Sequence, residues 1–128
     1  MSNSNSDKKT VVVLGASAKP ERYSFQCVEL LLERGHKVIP VTPSQTKICG
    51  LSPVPDLESV EENVDVLTMY VNAKRSSDMA DAILNLNPRK VIFNPGAENP
   101  ELEKKCLDAG IAVENACTLV LVYTDQFN

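Results

Sequence analysis

Thr10-Val11-Val12-Val13-Leu14-Gly15-Ala16-Ser17 is the stretch that decides the fold. Its run of β-branched and apolar residues fits a strand buried on both faces. The run stops at Gly15, a residue suited to a tight turn, and a helical pattern follows from Ser24 to Arg34. That order is expected to aim backbone N–H groups and the Ser17 hydroxyl at the mouth of a helix, where a phosphate can sit. A nucleotide-type ligand is the resulting expectation. A simple turn at Gly15 and a helix-cap role for Ser17 are the competing structural readings.

The same alternation continues outward. Val11–Leu14, Lys37–Val41, Asp65–Val71, Lys90–Phe93 and Ile111–Val113 are short apolar runs, rich in Val and Ile. Between them, Ser24–Arg34 places Val28, Leu31 and Leu32 on one helix face, with Gly35 positioned to supply a left-handed cap. Ser76–Leu86 turns Met79, Ala80, Ile83 and Leu84 inward. Asn99-Pro100-Glu101 combines a capping side chain, Pro at the first helical position and an acid in the first turn. The helix it opens is expected to bury Leu102, Cys106 and Leu107 and to stop at Gly110. Pro43–Pro55 reads as a loop, because it holds three Pro and a Gly, with a small extended piece at Leu51–Val54. A helical turn is expected near Leu57–Glu61, and the apolar run Leu119–Tyr123 reads either as a sixth strand or, the favoured reading, as a short helix begun by Thr118.

Strand–helix–strand repetition implies right-handed crossovers and an α/β, doubly wound parallel sheet of about five strands in three layers. The expected strand order is 3-2-1-4-5, with the switch point beside strand 1. Ligands of such sheets bind outside the carboxyl ends of the strands. Gly15–Ser17, Thr42–Pro43, Val71–Asn72, Asn94–Gly96 and Asn115–Cys117 all fall on that edge.

Size and composition bound the rest. The 128 residues suffice for one domain, read as a polar tail over 1–9 and a single folded unit over 10–128. A net charge of -4 argues against nucleic acid as a partner. No apolar run approaches the roughly 20 residues needed to span a bilayer, and Met1–Asp7 lacks an apolar signal core, so the cytoplasm is the expected location. Cys27, Cys49, Cys106 and Cys117 form no Cys-x-x-Cys pair, and His36 is the sole histidine, so a metal site is not expected. Cys27 and Cys106 fall on apolar helix faces and read as buried thiols.

A dinucleotide fingerprint requires Gly-x-Gly-x-x-Gly and an acid about 20 residues on. Only Gly15 matches; Ser17 replaces the second glycine, and the second run closes on Thr42-Pro43 without a carboxylate. The Walker pattern is absent too. Lys19, Arg22, Lys47, Lys74 and Arg75 can reach phosphates from loops, Lys74 and Arg75 more directly because they follow the third run. Tyr23 enters the first helix, where it packs on a ligand or on the sheet edge. Cys117 is the best nucleophile candidate and Glu114 a candidate base, but neither has a partner in sequence that would activate it.

The blocks Gly15-Ala16-Ser17-x-x-Pro20-Glu21-Arg22-x-Ser24, Val38-Ile39-Pro40-Val41-Thr42-Pro43 and Asn94-Pro95-Gly96-Ala97-x-Asn99 together resemble the small stand-alone CoA-binding domain proteins. These are similar to the N-terminal domain of the succinyl-CoA synthetase alpha subunit. The resemblance covers about residues 9–123. It implies a Rossmann-like fold holding coenzyme A or an acyl-CoA across the strand ends. By that likeness Gly15, Ala16, Ser17 and Ser24 contact the CoA phosphates. Thr42 and Pro43 flank the adenosine, Val71 and Asn72 pack against the nucleotide, and Asn94 and Gly96 line the pantetheine side. Thr42 stands where family members often carry Asn. The synthetase's phosphohistidine has no counterpart, since His36 precedes the second strand, so binding without catalysis is the expectation. An NAD(P)- or FAD-dependent enzyme, and an interaction protein that kept the fold without the ligand, stay open as alternatives. The apolar stretch Leu119–Tyr123 allows a homodimer.

Overall fold

The computed structural model describes residues 8–127. Residues 1–7 of the expected tail lie outside that range. Lys8 and Lys9 lie inside it: the Lys8 Nζ donates to the Arg34 carbonyl at 3.0 Å, and the Lys9 amide donates to His36 Nδ1 at 3.0 Å.

Five parallel strands form one sheet: β1 (Thr10–Leu14), β2 (Lys37–Val41), β3 (Val66–Met69), β4 (Lys90–Phe93) and β5 (Ala112–Asn115). The helices are α1 (Tyr23–Glu33), α2 (Ala73–Asp78), α3 (Ala80–Leu86), α4 (Pro100–Asp108) and α5 (Thr118–Tyr123), with a 3₁₀ turn at Leu57–Ser59. Period-2 alternation splits the strands between two cores. Val11, Val13, Val38, Val66 and Ile92 meet Cys27, Val28 and Leu31 of α1 and Leu121 and Val122 of α5. Val12, Leu14, Leu67, Met69, Val91 and Phe93 meet Ala80 and Ile83 of α3 and Leu102 and Cys106 of α4. The result is the expected three-layer, Rossmann-like α/β sheet.

The strand order is 2-1-3-4-5, so β3 lies beside β1 and not outside β2. Pro40 supplies the reason. Lys37 donates toward β1 and the Val41 carbonyl accepts from it, so the even-numbered residues of β2 face outward. Pro40 therefore presents its missing N–H on the outer side, which suits an edge strand and not a central one. Only a short piece covers that side: Val54 donates to the Pro40 carbonyl (2.9 Å) and accepts from the Thr42 amide (2.9 Å). This is the extended piece expected at Leu51–Val54. The order still reverses beside β1, now between β1 and β3.

Two helical expectations change. The segment expected as one helix over Ser76–Leu86 starts earlier, at Ala73, and breaks at Met79 into α2 and α3. The Asn72 side chain fixes the start by accepting from the Arg75 amide at 2.9 Å. Leu107 is 54% exposed, because α4 buries only the stripe through Leu102 and Cys106. The Asn99-Pro100 start and the stop at Gly110 are as read: Asn99 Oδ1 accepts from the Leu102 amide at 3.1 Å, and Gly110 has φ +83°.

Candidate functional site

At the β1–α1 corner Gly15 adopts φ +86°. A Cβ there would sit 2.9 Å from Val71 Cγ1 and 3.0 Å from the Tyr70 carbonyl oxygen, so the close approach of β1 and β3 requires glycine. The corner differs from expectation in one respect. The Gly15 and Ala16 amides are not free for an anion; both donate to the Val41 carbonyl, at 3.0 and 3.3 Å, and so extend the β1–β2 pairing by one step. The donors that remain are farther along. The Ser17 oxygen accepts from the Lys19 amide at 3.1 Å, which leaves its O–H to donate outward. Arg22 occupies the N-cap of α1 with no side-chain cap, and the amides of Tyr23, Ser24 and Phe25 have no protein acceptor among the described residues. No acid lies in the first turn of α1.

Three clefts run side by side across the carboxyl edge. The first, about 370 Å³, lies between the Thr42–Pro43 loop, the Pro55–Glu58 segment, Val71 and the α2–α3 corner with Arg75. The second, about 320 Å³, is lined by Gly15, Ser17, Lys19, Arg22, Tyr23, Ser24 and Tyr70. The third, about 260 Å³, is lined by Tyr23, Tyr70, Asn94, Pro95 and Cys117. Gly15 borders the first two, and Tyr23 and Tyr70 separate the second from the third. Through these shared lining residues the three clefts follow one another as a segmented groove over the switch point, with two cations and no carboxylate lining its middle segment.

Of the residues expected at the site, Gly15, Ala16, Thr42, Pro43 and Val71 line the first cleft, Ser17, Tyr23 and Ser24 the second, and Asn94 the third. Asn94 lines the third cleft with its side-chain amide already engaged inside the protein. It is buried, its Nδ2 donates to Thr68 Oγ1 (2.7 Å) and to the Met69 carbonyl (2.8 Å), and its Oδ1 accepts from the Thr118 amide (2.9 Å). Its side chain braces β3, β4 and the start of α5, and both of its amide hydrogens are spent within the protein. The Gly96 amide donates to the Glu98 carboxylate at 2.9 Å, and Asn72 caps α2; neither lines these three clefts. Glu114, the candidate base, is held by Lys90 at 2.9 Å.

Tyr70 was not singled out from the sequence. It follows β3 directly, and its hydroxyl is buried without a hydrogen-bond partner between the second and third clefts. Burial pushes its phenol above the ordinary tyrosine range, so it stays protonated. The same cause pushes the Cys27 thiol up to about 12. Its place at the carboxyl end of a strand was the one signal for Tyr70. Among the described residues no group of His, Cys, Asp or Glu is arranged to hold a metal, and no helix is long and apolar enough to cross a membrane.

A family model described as "CoA binding domain" matches residues 9–123. The chain belongs to the CoA binding domain family. The CoA-binding domain described here is similar to a solved structure of an uncharacterized protein, with 36% identity, a TM-score of 0.90, and coverage of 94% of this chain and 98% of that one. It is similar to a Thermus thermophilus structure described as cell-free ID.343, with 31% identity, a TM-score of 0.86, and coverage of 97% and 94%. The fold also recurs in the dinucleotide-forming acetyl-coenzyme A synthetase 1 of Ca. Korarchaeum cryptofilum, with 24% identity, a TM-score of 0.70, and coverage of 84% of this chain and 25% of that one.

Proposed function

We propose that the groove binds coenzyme A or an acyl-CoA and that the chain carries this ligand without transforming it. The observation that carries the reading is the segmented groove past Gly15 with Lys19 and Arg22 at its centre. A diphosphate in the second cleft meets both cations, the Ser17 hydroxyl and the unpaired first-turn amides of α1. The adenosine then takes the first cleft, beside Thr42, Pro43 and Val71, and pantetheine the third, past Tyr23 and Tyr70. The residues present fit the group: glycine at 15 keeps the corner free of a side chain that would crowd Val71, and the middle cleft has no carboxylate to repel phosphate.

A carrier role is supported by what lines the third cleft. Both Asn94 amide hydrogens are spent within the protein, Tyr70 stays protonated, and Cys117 has no histidine among its fellow lining residues. The open first cleft disfavours an interaction protein that lost its ligand. The lone Gly15 and the Thr42-Pro43 end of β2 disfavour NAD(P) or FAD.

Native mass spectrometry and thermal shift of the purified chain with CoA, acetyl-CoA, NAD⁺ and FAD test this. Saturable CoA or acetyl-CoA binding with a raised melting temperature is expected. No bound species and no shift at millimolar CoA would overturn it, as would tighter binding of NAD⁺ or FAD.

A further inference from the structure

Arg75 is a third cation of the groove, apart from the Lys19 and Arg22 that face the diphosphate. We infer that Arg75 is the specificity-determining residue that reads a phosphate on the ribose of the bound nucleotide. The inference rests on the CoA reading and deepens it.

Three observations carry it. Arg75 lines the first cleft, on the adenosine side of Gly15, whereas Lys19 and Arg22 line the second. The groove thus holds two separated cationic positions. A ligand whose phosphates form only a diphosphate needs one; CoA, with a 5′-diphosphate and a ribose phosphomonoester, needs both. Arg75 is also mounted rigidly. Its amide is held by Asn72 Oδ1, and Asn99 Nδ2 ties α2 to α4 through Ser76 Oγ (2.8 Å), Ser77 Oγ (3.0 Å) and the Ala73 carbonyl (3.3 Å). Its guanidinium makes no ion pair among the described residues, so both edges of the fork remain for a phosphate.

The charges around it make this cation decisive. Asp56, Glu58, Asp78 and Asp81 line the same cleft, and of these Asp56 is engaged by Ser59, at 2.7 Å to the hydroxyl and 3.0 Å to the amide. An anion therefore enters this cleft only in direct, bidentate contact with Arg75. Without the guanidinium the charged lining is wholly negative, and a ribose phosphate is repelled while an unphosphorylated ribose is not.

Isothermal titration of the full chain with CoA and with dephospho-CoA reads this directly. Wild type is expected to bind CoA about tenfold more tightly, the scale of a charge-assisted contact. Arg75→Ala is expected to erase that gap while leaving dephospho-CoA affinity within about twofold, and Arg75→Lys to retain part of it. Arg75 is exposed, and an unchanged melting curve confirms that the variants fold. Equal affinity of wild type for both ligands overturns the inference and leaves CoA binding intact, as does an Arg75→Ala variant that weakens both alike. Failure of wild type to bind either ligand overturns the CoA reading itself.

Discussion

Replacing Asn94 by Ala is expected to destabilise the protein far more than it alters any ligand contact. The side chain is buried and makes three hydrogen bonds, at 2.7, 2.8 and 2.9 Å, to Thr68, Met69 and Thr118. Truncation leaves the Met69 carbonyl and the Thr118 amide without this partner. Thr68 Oγ1 keeps its 2.8 Å bond to Thr118 Oγ1, so its loss is the smallest. The Thr118 amide belongs to the first turn of α5, whose own N-cap, Cys117, makes no side-chain cap, so Asn94 caps that helix from across the sheet. A lost cap costs about 1 kcal/mol and each buried group left unsatisfied about 1–3 kcal/mol, giving roughly 2–4 kcal/mol in all. At roughly 3–5 °C per kcal/mol for a domain of this size, the melting temperature should fall by about 10 °C. Asn94→Asp should do at least as much harm, because a carboxylate cannot donate to Thr68 or Met69. The chain has no Trp, so urea unfolding followed by far-UV circular dichroism is the suitable assay. A loss below about 0.5 kcal/mol in both variants would refute the bracing role.

Three further expectations follow from the same structure. Gly15→Ala should cost roughly 2–4 kcal/mol, from a positive φ and a Cβ placed 2.9 Å from Val71 Cγ1, and a chemical-denaturation midpoint equal to wild type would contradict it. His36 has its pKa lowered from 6.5, first by burial and then by Lys8, Lys9 and Arg34, so the unfolded chain takes the proton first. Stability should therefore fall as the pH drops below about 6.5, until the folded value is passed, and His36→Gln should flatten that slope. Cys27 and Cys106, 1% and 0% exposed, should resist a thiol reagent at pH 8 in the native state and react in denaturant, whereas Cys49 and Cys117 react first; equal rates for all four native thiols would count against the two cores.

Most of the architecture was legible because it rests on local pattern. The runs at β1, β2 and β4 and the Asn99-Pro100 start each carry their own signal in composition or capping chemistry, whereas the run Leu119–Tyr123 allows a strand as well as the helix α5, whose cap comes from the distant Asn94. The strand order was also written in the sequence, at Pro40, but its meaning depends on which way that residue faces within β2, and that follows only from the register Val13 to Pro40. Site residues split along the same line. Gly15, Ser17 and Thr42 border the groove because strand ends put them there, and Tyr23 because it opens α1. Asn94 sits at a strand end too, yet its hydrogen bonds turn inward to Thr68 and Thr118, residues far from it in sequence. Side chains of like position diverge according to partners that no local window contains.

Pro40 and the Val54 clasp also bear on how these molecules behave in a crowd. A bare outer strand is a template on which a neighbouring chain can add its own backbone and begin a fibre. Here one rung of that template lacks its hydrogen, and the adjoining rungs are already taken by the molecule's own loop. The carboxyl half of β2 is thereby closed to a neighbouring chain, which leaves only Val38 to offer its amide and carbonyl on that side. If this protein is driven to aggregate from the native state, the growing contact should start at the opposite margin of the sheet, along Ala112–Asn115 of β5.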